Sequence, residues 1–407
     1  MIVSTSTGAA DPRLLAACGI VLDEDEEIRE DGRLKGQQRE LKSHNKGTER
    51  RLLAPDNKPS LTLPFVLVDE ACQSPEPATL IPITSTNSCR AIVLLGDPCQ
   101  LPPTVRSSPN SPLSISLMER LSALLPQPVI VTAQNDQTNK DNTFLEAKPT
   151  KQALSLLRAS NRGGISVSYR KRFSGALLLS VQYRMHPSIS AFSSALFYDN
   201  LLTTPDFLGS YRPFPQELSA HVPASGCDVS VRFVNVGGQQ NEQRGMGKQY
   251  IGAAVMADAQ TSYRNEAEAK RVIEILKGIL QSREHGRPSV NTIGIVTPYS
   301  GQVALIKDLM KADEEYQLLS QKLHEPVEVK SVDGYQGRER DVIIFSAVRS
   351  NRQGNVGFLA DWRRMNVALT RARLALVLVG DLATLSEGDR HWAALGKWCA
   401  GVKCIVD

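Results

Sequence analysis

Nothing in the 407 residues matches G-x-x-x-x-G-K-[ST], the loop whose backbone N–H groups and lysine cradle nucleotide phosphates. The nearest approach, Gly245, Met246, Gly247, Lys248 and Gln249, has a Gly-Lys pair but no Ser or Thr after it to reach a metal ion. The seven cysteines (Cys18, Cys72, Cys89, Cys99, Cys227, Cys399 and Cys404) form no C-x-x-C pair and are joined by no histidine cluster. That spacing excludes the usual zinc modules and fits a reducing compartment. No apolar run approaches the ~20 residues that span a bilayer, and the first residues lack the basic start and apolar stretch of a secretory signal. A soluble cytoplasmic protein, with a nuclear location also open, is expected, without a membrane partner. The net charge of +4 is too small to argue for nucleic acid by itself, although a basic groove can exist on a near-neutral protein.

The chain is long enough for two or three domains with real cores. Ile2 to Thr7 reads as a short strand before a turn at Gly8. Residues 22–59 pass from an acidic cluster to a Lys-, Arg- and Gln-rich stretch with few large apolar residues, the composition of a solvated insertion. Leu63–Val68 and Ala91–Leu95 are apolar without alternation, as strands buried on both faces of a parallel sheet would be. Residues 127–172 read as a linker or insertion, expected to be disordered. Order returns with Asn265 and Glu268 in a capping-box arrangement, before apolar residues at helical spacing from Ala269 to Leu280. Strands at Thr292–Val296, Val327–Ser331, Asp341–Ala347 and Ala375–Gly380 then alternate with helices at Gly301–Met310 and Met365–Arg373. That alternation predicts an α/β domain with a parallel sheet. The domains expected are 1–126, partial, and 173–407, more complete.

Asp69 and Glu70 close the first apolar strand, where α/β sheets place their ligands. Asp69 suits Mg²⁺ held through water, and Glu70 suits orienting or deprotonating an attacking water. The competing reading is a strand end whose acids cap the next helix. Gln73 at D-E-A-x-Q spacing and G-D-P-C-Q-L-P-P one unit later favour the first. Gln100 in that second block can bond a γ-phosphate or the attacking water. Arg184 in Q-Y-R-M-H-P and Arg371 in A-L-T-R-A-R are candidates to stabilise charge in phosphoryl transfer. Surface ion pairing is the alternative for either, and Arg373 reads as structural. Tyr183 can stack on a base or sit in a core. Gln336 and Glu339 suit sugar and phosphate-water contacts. Thr5, Thr297 and Ser331 sit at strand ends, where a hydroxyl can bond a nucleic-acid phosphate, and Asn366 could add a backbone contact. Turn and cap roles remain open for all four.

Taken together, the blocks V-D-E-A-C-Q, L-L-G-D-P-C-Q-L-P-P, Q-Y-R-M-H-P, I-G-I-V-T-P-Y-S-G-Q, V-D-G-Y-Q-G-R-E-R-D and N-V-A-L-T-R-A-R resemble the superfamily-one helicases of the up-frameshift and senataxin branch. The resemblance covers about three quarters of the chain. It implies two RecA-like domains with ATP between them, the first incomplete because its phosphate-loop strand and helix are absent. It further implies Mg²⁺ as cofactor, single-stranded RNA or DNA as partner, and a monomeric ATP-dependent helicase or translocase. By motif it assigns Asp69 and Glu70 to Mg²⁺ and hydrolysis, and Gln100, Tyr183, Arg184, Glu339 and Arg371 to nucleotide. RNA surveillance in nonsense-mediated decay, with mRNA-decay factors as partners, is the cellular role implied. A non-enzymatic binding module derived from a helicase is the alternative. Because an incomplete sheet leaves unpaired edges, limited proteolysis should leave a resistant core within Phe173–Asp407. A digest that spares only the N-terminal half would contradict this.

Overall fold

The apolar runs read from the sequence form parallel ladders, but only those of the second half are fully covered. A computed structural model describes residues 62–85, 88–105, 111–125, 129–131, 175–211, 229–238, 241–244, 247–251, 254–258, 262–282, 290–321 and 325–406, with Pro215, Leu218, Val222 and Leu323. Thr5 and the insertion expected at 22–59 lie outside the described residues. The chain divides into two compact units. The first takes Met1–Pro98, Pro102–Leu124 and Gln152–Gly163, and the second takes Cys99–Leu101, Leu125–Lys151 and Gly164–Asp407.

In the first unit, β1 (Phe65–Val68) pairs in parallel with β2 (Ala91–Leu94), and α1 (Glu76–Thr84) lies between them in sequence. Pro75 precedes α1, and Arg120 of α2 (Leu117–Leu124) grips Glu76 with two bonds, 2.8 Å from Nε and 2.6 Å from Nη2. The hydrogen bond from Arg120 holds the Glu76 carboxyl below its usual range. The strands were expected to be buried, and here the structure corrects the expectation. Phe65 is 74% and Leu67 63% exposed. A two-stranded sheet, which is all of this sheet among the described residues, lacks the neighbouring strands and helix layers that would cover its faces.

The second unit opens with β3 (Val129–Val131) and β4 (Leu177–Leu179), a parallel pair. So part of the stretch read as a linker is a strand. After α3 (Pro187–Phe197) and α4 (Asp206–Tyr211) comes β5 (Val231–Asn235). Two antiparallel ladders follow: β6 (Glu242–Arg244) with β9 (Tyr263–Asn265), and β7 (Gly247–Ile251) with β8 (Ala254–Asp258). Gly247 and Lys248 therefore belong to a hairpin and not to a loop that opens a helix. Next come α5 (Glu266–Ser282), β10 (Ile293–Thr297), α6 (Ser300–Ala312), α7 (Glu314–Ser320), β11 (Glu328–Ser331) and β12 (Arg340–Ser346). The order ends with α8 (Trp362–Leu369), β13 (Ala372–Gly380), α9 (Leu382–Gly388), α10 (Arg390–Gly401) and β14 (Ile405–Val406).

Six of these strands form one all-parallel sheet in the order β11-β10-β12-β13-β5-β14. Alternate side chains of each strand enter opposite cores, as the period of two requires. Ile343, Phe345, Leu376 and Leu378 meet Phe192, Met365 and Trp392 on one face. Val342, Ile344, Val377 and Val379 meet Leu276, Ile279, Ile306 and Met310 on the other. Helices cover both faces, which is why the strands read as unbroken apolar runs. Gly294 in β10 leaves room for Tyr335. A Cβ there would lie 1.9 Å from the tyrosine oxygen, so the D-G-Y-Q-G turn can press onto the sheet only at a glycine.

The capping box at Asn265 has a second task. Asn265 Oδ1 accepts the Glu268 N–H at 3.1 Å, which starts α5. The Glu268 carboxylate then turns inward, accepting the Ser346 hydroxyl and the Val348 N–H, each at 2.7 Å. Asn265 Nδ2 donates to the Val348 carbonyl at 3.0 Å. Val348 has φ of 74°, an unfavourable conformation for a β-branched residue. Glu268 and Asn265 hold it there, and so direct the chain past the end of β12. Burial pushes the Glu268 carboxyl up to about 8, against the pull of the Val348 N–H and the Ser346 hydroxyl. A carboxyl with a raised folded-state pKa stabilises the fold below its unfolded value and loses that contribution as pH rises toward 8. Stability should therefore fall from pH 5 to pH 8, by up to about 1.4 kcal/mol per unit from this group. Glu268→Gln should flatten that slope in urea unfolding. An unchanged slope would contradict the assignment.

Candidate functional site

In the first unit, Asp69 and Glu70 stand exposed just past the carboxyl end of β1. The turn that presents them is tied to β2, because Ala71 N–H donates to the Leu95 carbonyl at 2.7 Å. Glu70 takes the left-handed conformation, φ 50° and ψ 38°, before a single helical turn at Ala71–Gln73. Gln73 Nε2 donates to Glu70 Oε2 at 2.6 Å, and the Glu70 N–H donates to Asp69 Oδ1 at 3.0 Å. The D-E-A-x-Q spacing thus becomes a clasp in which Gln73 orients the glutamate. Two hard carboxylates open to solvent fit Mg²⁺, which keeps several waters and takes one or two protein carboxylates beside phosphate oxygens. No cluster of three or more His, Cys, Asp or Glu residues that could hold a metal occurs among the described residues.

The second unit gathers most of the other candidates. Arg371, only 2% exposed, precedes β13. The helix expected to run from Met365 to Arg373 ends at Leu369, and Ala372 already begins the strand. Arg371 Nε donates to the Val367 carbonyl at 2.9 Å, and Nη2 to the Thr370 hydroxyl at 3.0 Å and to Gln100 Oε1 at 3.1 Å. Gln100 belongs to this unit by its contacts. Its neighbour Leu101 enters the same core as Met185, and the Cys99 thiol donates to the Phe197 carbonyl. The structure therefore brings Gln100 and Arg371, distant in sequence, into direct contact.

Arg184 makes a second focus. Its backbone N–H and that of Met185 donate to Gln182 Oε1, which shapes the Q-Y-R-M-H-P turn. His186 caps α3 and Pro187 takes its first position, so the same block starts a helix. The Arg184 guanidinium donates to Glu339 and, at 3.1 Å, to the Thr370 carbonyl. Arg373 Nε donates to the other Glu339 oxygen at 2.9 Å. Partial burial pushes the Glu339 carboxyl upward, yet the two arginines outweigh it and hold it below the usual range. A carboxylate flanked by two guanidinium groups leaves residual positive charge, which suits a phosphate. Tyr183, 55% exposed, stands beside this pair. It is not a core residue. Gln336 is half-buried, and its Nε2 has no protein partner.

The nucleic-acid candidates divide. Thr297 ends β10 fully buried, its hydroxyl without a protein partner. Ser331 ends β11 half-buried and accepts the Gly334 N–H at 3.2 Å. Asn366 lies inside, not at a surface. Its Nδ2 donates to the Cys99 carbonyl and the Tyr198 hydroxyl, each at 2.8 Å. Sequence reading missed Gln182 as the organiser of its block. It also missed Glu242, which bonds Arg349 at 3.0 Å, the Ser350 N–H at 2.8 Å and Asn351 Nδ2 at 2.9 Å. A glutamate in a polar, glycine-flanked stretch carries no local signal of such a role.

Two family models, each described as an AAA domain, match the chain. One covers residues 167–383, more than half of it, and the other residues 55–108. The chain is 32% identical over 344 residues to a regulator of nonsense transcripts 1 homolog from Arabidopsis thaliana, covering 84% of this chain and 21% of that protein. It is 33% identical over 339 residues to senataxin from Homo sapiens, 82% against 10%, and 30% identical over 339 residues to helicase sen1 from Schizosaccharomyces pombe, 83% against 16%. The chain belongs to the superfamily-one helicases of the up-frameshift and senataxin branch. It spans about a fifth or less of the length of these three relatives. The parallel sheet with helices on both faces is the RecA-like architecture expected of such a helicase. No helix among the described residues is long and apolar enough to cross a membrane. In this chain, Asn366→Ala should remove the amide that bonds the Cys99 carbonyl and the Tyr198 hydroxyl and cost about 1–3 kcal/mol in urea unfolding. A loss below about 0.5 kcal/mol, the range of neutral surface changes, would show that the amide is not structural.

Proposed function

We propose that the chain carries the hydrolytic and strand-handling residues of an ATP-dependent RNA or DNA helicase. The observation that supports this best is the bond between Gln100 and Arg371, which joins two motif blocks separated by most of the sequence. In this reading Glu70, held by Gln73, accepts the proton of the attacking water, and Asp69 holds the Mg²⁺ water shell. A Mg²⁺ ion held there would supply positive charge to offset that of the nucleotide phosphates. Gln100 relays the nucleotide state to Arg371, and Arg184 and Arg371 offset charge on the transferring phosphoryl group. Glu339 keeps Arg184 in place with Arg373. Tyr183 stacks on the base, and Gln336 with its unpartnered amide bonds sugar or phosphate water. Ser331, at the end of β11, bonds the strand backbone, and Thr5 and Thr297 are the other hydroxyl candidates for that contact.

The name of the Arabidopsis thaliana relative, a regulator of nonsense transcripts, supports RNA surveillance as the cellular role, and the reading extends to mRNA-decay factors as partners and to a cytoplasmic or nuclear location. A second reading is a nucleic-acid-binding module without turnover. It is favoured by the absence of G-x-x-x-x-G-K-[ST] from the 407 residues.

The test is ATP hydrolysis with single-stranded RNA. The 407-residue chain alone should show negligible turnover, because no phosphate loop neutralises the nucleotide. Fusing a segment with G-x-x-x-x-G-K-T ahead of it should restore activity. In that fusion Glu70→Gln should cut turnover at least a hundredfold while nucleotide binding persists. Turnover within tenfold of the parent would reject the role given to Glu70.

A further inference from the structure

The end of α10 places two thiols side by side. The helix finishes in a Schellman motif. Cys404 N–H donates to the Cys399 carbonyl at 3.0 Å, and Lys403 N–H to the Ala400 carbonyl at 3.2 Å. Lys403 supplies the left-handed residue, φ 57°, that such an ending needs. In this motif the side chains of the bonded outer pair meet, usually as an apolar contact. Here both are cysteines, both fully buried in the core that also holds Trp392 and Leu395. The backbone bond sets them near the Cα separation of disulfides, about 5–6 Å. Neither is part of a disulfide in this structure.

We propose that Cys399 and Cys404 form a reversible disulfide that fastens the end of α10 to the edge strand β14. The strand beyond Cys404 is short. Among the described residues of that strand, Ile405 and Val406 pair with β5, and the Cys404 carbonyl accepts the Phe233 N–H at 2.9 Å. Opening this two-residue edge breaks few bonds and admits a small oxidant. Glutathione disulfide is the oxidant class that fits. The Cys404 thiolate attacks one sulfur of glutathione disulfide, forming a mixed disulfide and expelling one glutathione thiolate. Cys399, after losing its proton, attacks the Cys404 sulfur and expels the second. Two electrons and two thiol hydrogens leave the protein, and two glutathione molecules are formed. The hydrogen bond with Cys399 holds the Cys404 thiol below its ordinary range, with the Arg232 charge adding and burial opposing, which favours Cys404 as the attacking group.

The test equilibrates the 407-residue chain in glutathione buffers of graded ratio, quenches it with acid and alkylation, and maps tryptic peptides. Cleavage at Lys397 and Lys403 puts the two cysteines on separate peptides, so the bond appears as a linked pair. The expected result is a linked pair whose effective concentration in the folded chain is at least tenfold that in urea, about 30 mV in potential. Cys399→Ala, a small apolar replacement, should abolish the link and leave Cys404 as a mixed disulfide or free thiol. A folded-to-urea ratio of one or less, mixed disulfides alone in the parent chain, or thiols unmodified at the most oxidising ratio would overturn the proposal.

Discussion

A guanidinium that is almost wholly buried must find acceptors, since an unpaired charge in a core costs several kcal/mol. Arg371 meets that demand with the Val367 carbonyl, the Thr370 hydroxyl and the Gln100 amide oxygen. The third acceptor comes from the G-D-P-C-Q-L-P-P loop. Leu101 in the apolar core and the Cys99 carbonyl on Asn366 hold that loop in the second unit. One buried charge thus helps hold Cys99–Leu101 in the unit whose sheet is built much later in the chain. The bond from Arg371 to Gln100 brings two motif blocks, distant in sequence, into contact.

Carboxylates hold other loops of the second unit. Glu339 sits between Arg184 and Arg373, and Glu242 serves Arg349, Ser350 and Asn351 at once. Glu268 clamps the strained Val348. Each carboxylate fixes a loop that follows or precedes a strand of the six-stranded sheet. Glu242 and Glu268 act past the carboxyl end of β12, where α/β proteins assemble their ligand sites, whereas Glu339 acts at its amino end. The apolar faces below supply the stability that lets one turn keep an unfavourable backbone conformation.

Much of the fold was legible because parallel strands covered on both faces are unbroken apolar runs, and β10, β11, β12 and β13 follow them within a few residues. β5, which pairs beside β13, was not read, since Arg232 interrupts its apolar run and is buried through carbonyl partners of its own. The helix before Arg371 was read too long because Ala372 and Leu374 continue its apolar spacing. Pairing of Arg340 with Ala372 ends it instead. The exposed faces of β1 and β2 also escaped the sequence reading, because apolar composition reports what a strand needs and not what lies over it.

The amino-acid sequence alone determined the family, the alternation of strands and helices, and the identity of the residues that carry charge in each block. These depend on local composition and spacing, which survive without coordinates. Only the tertiary structure decided which charges pair, that Asn366 faces inward, that Gln100 joins Arg371, and that two cysteines meet at a helix end. Such contacts arise from chain segments brought together by burial of apolar surface, and no local pattern encodes the partner that burial will supply.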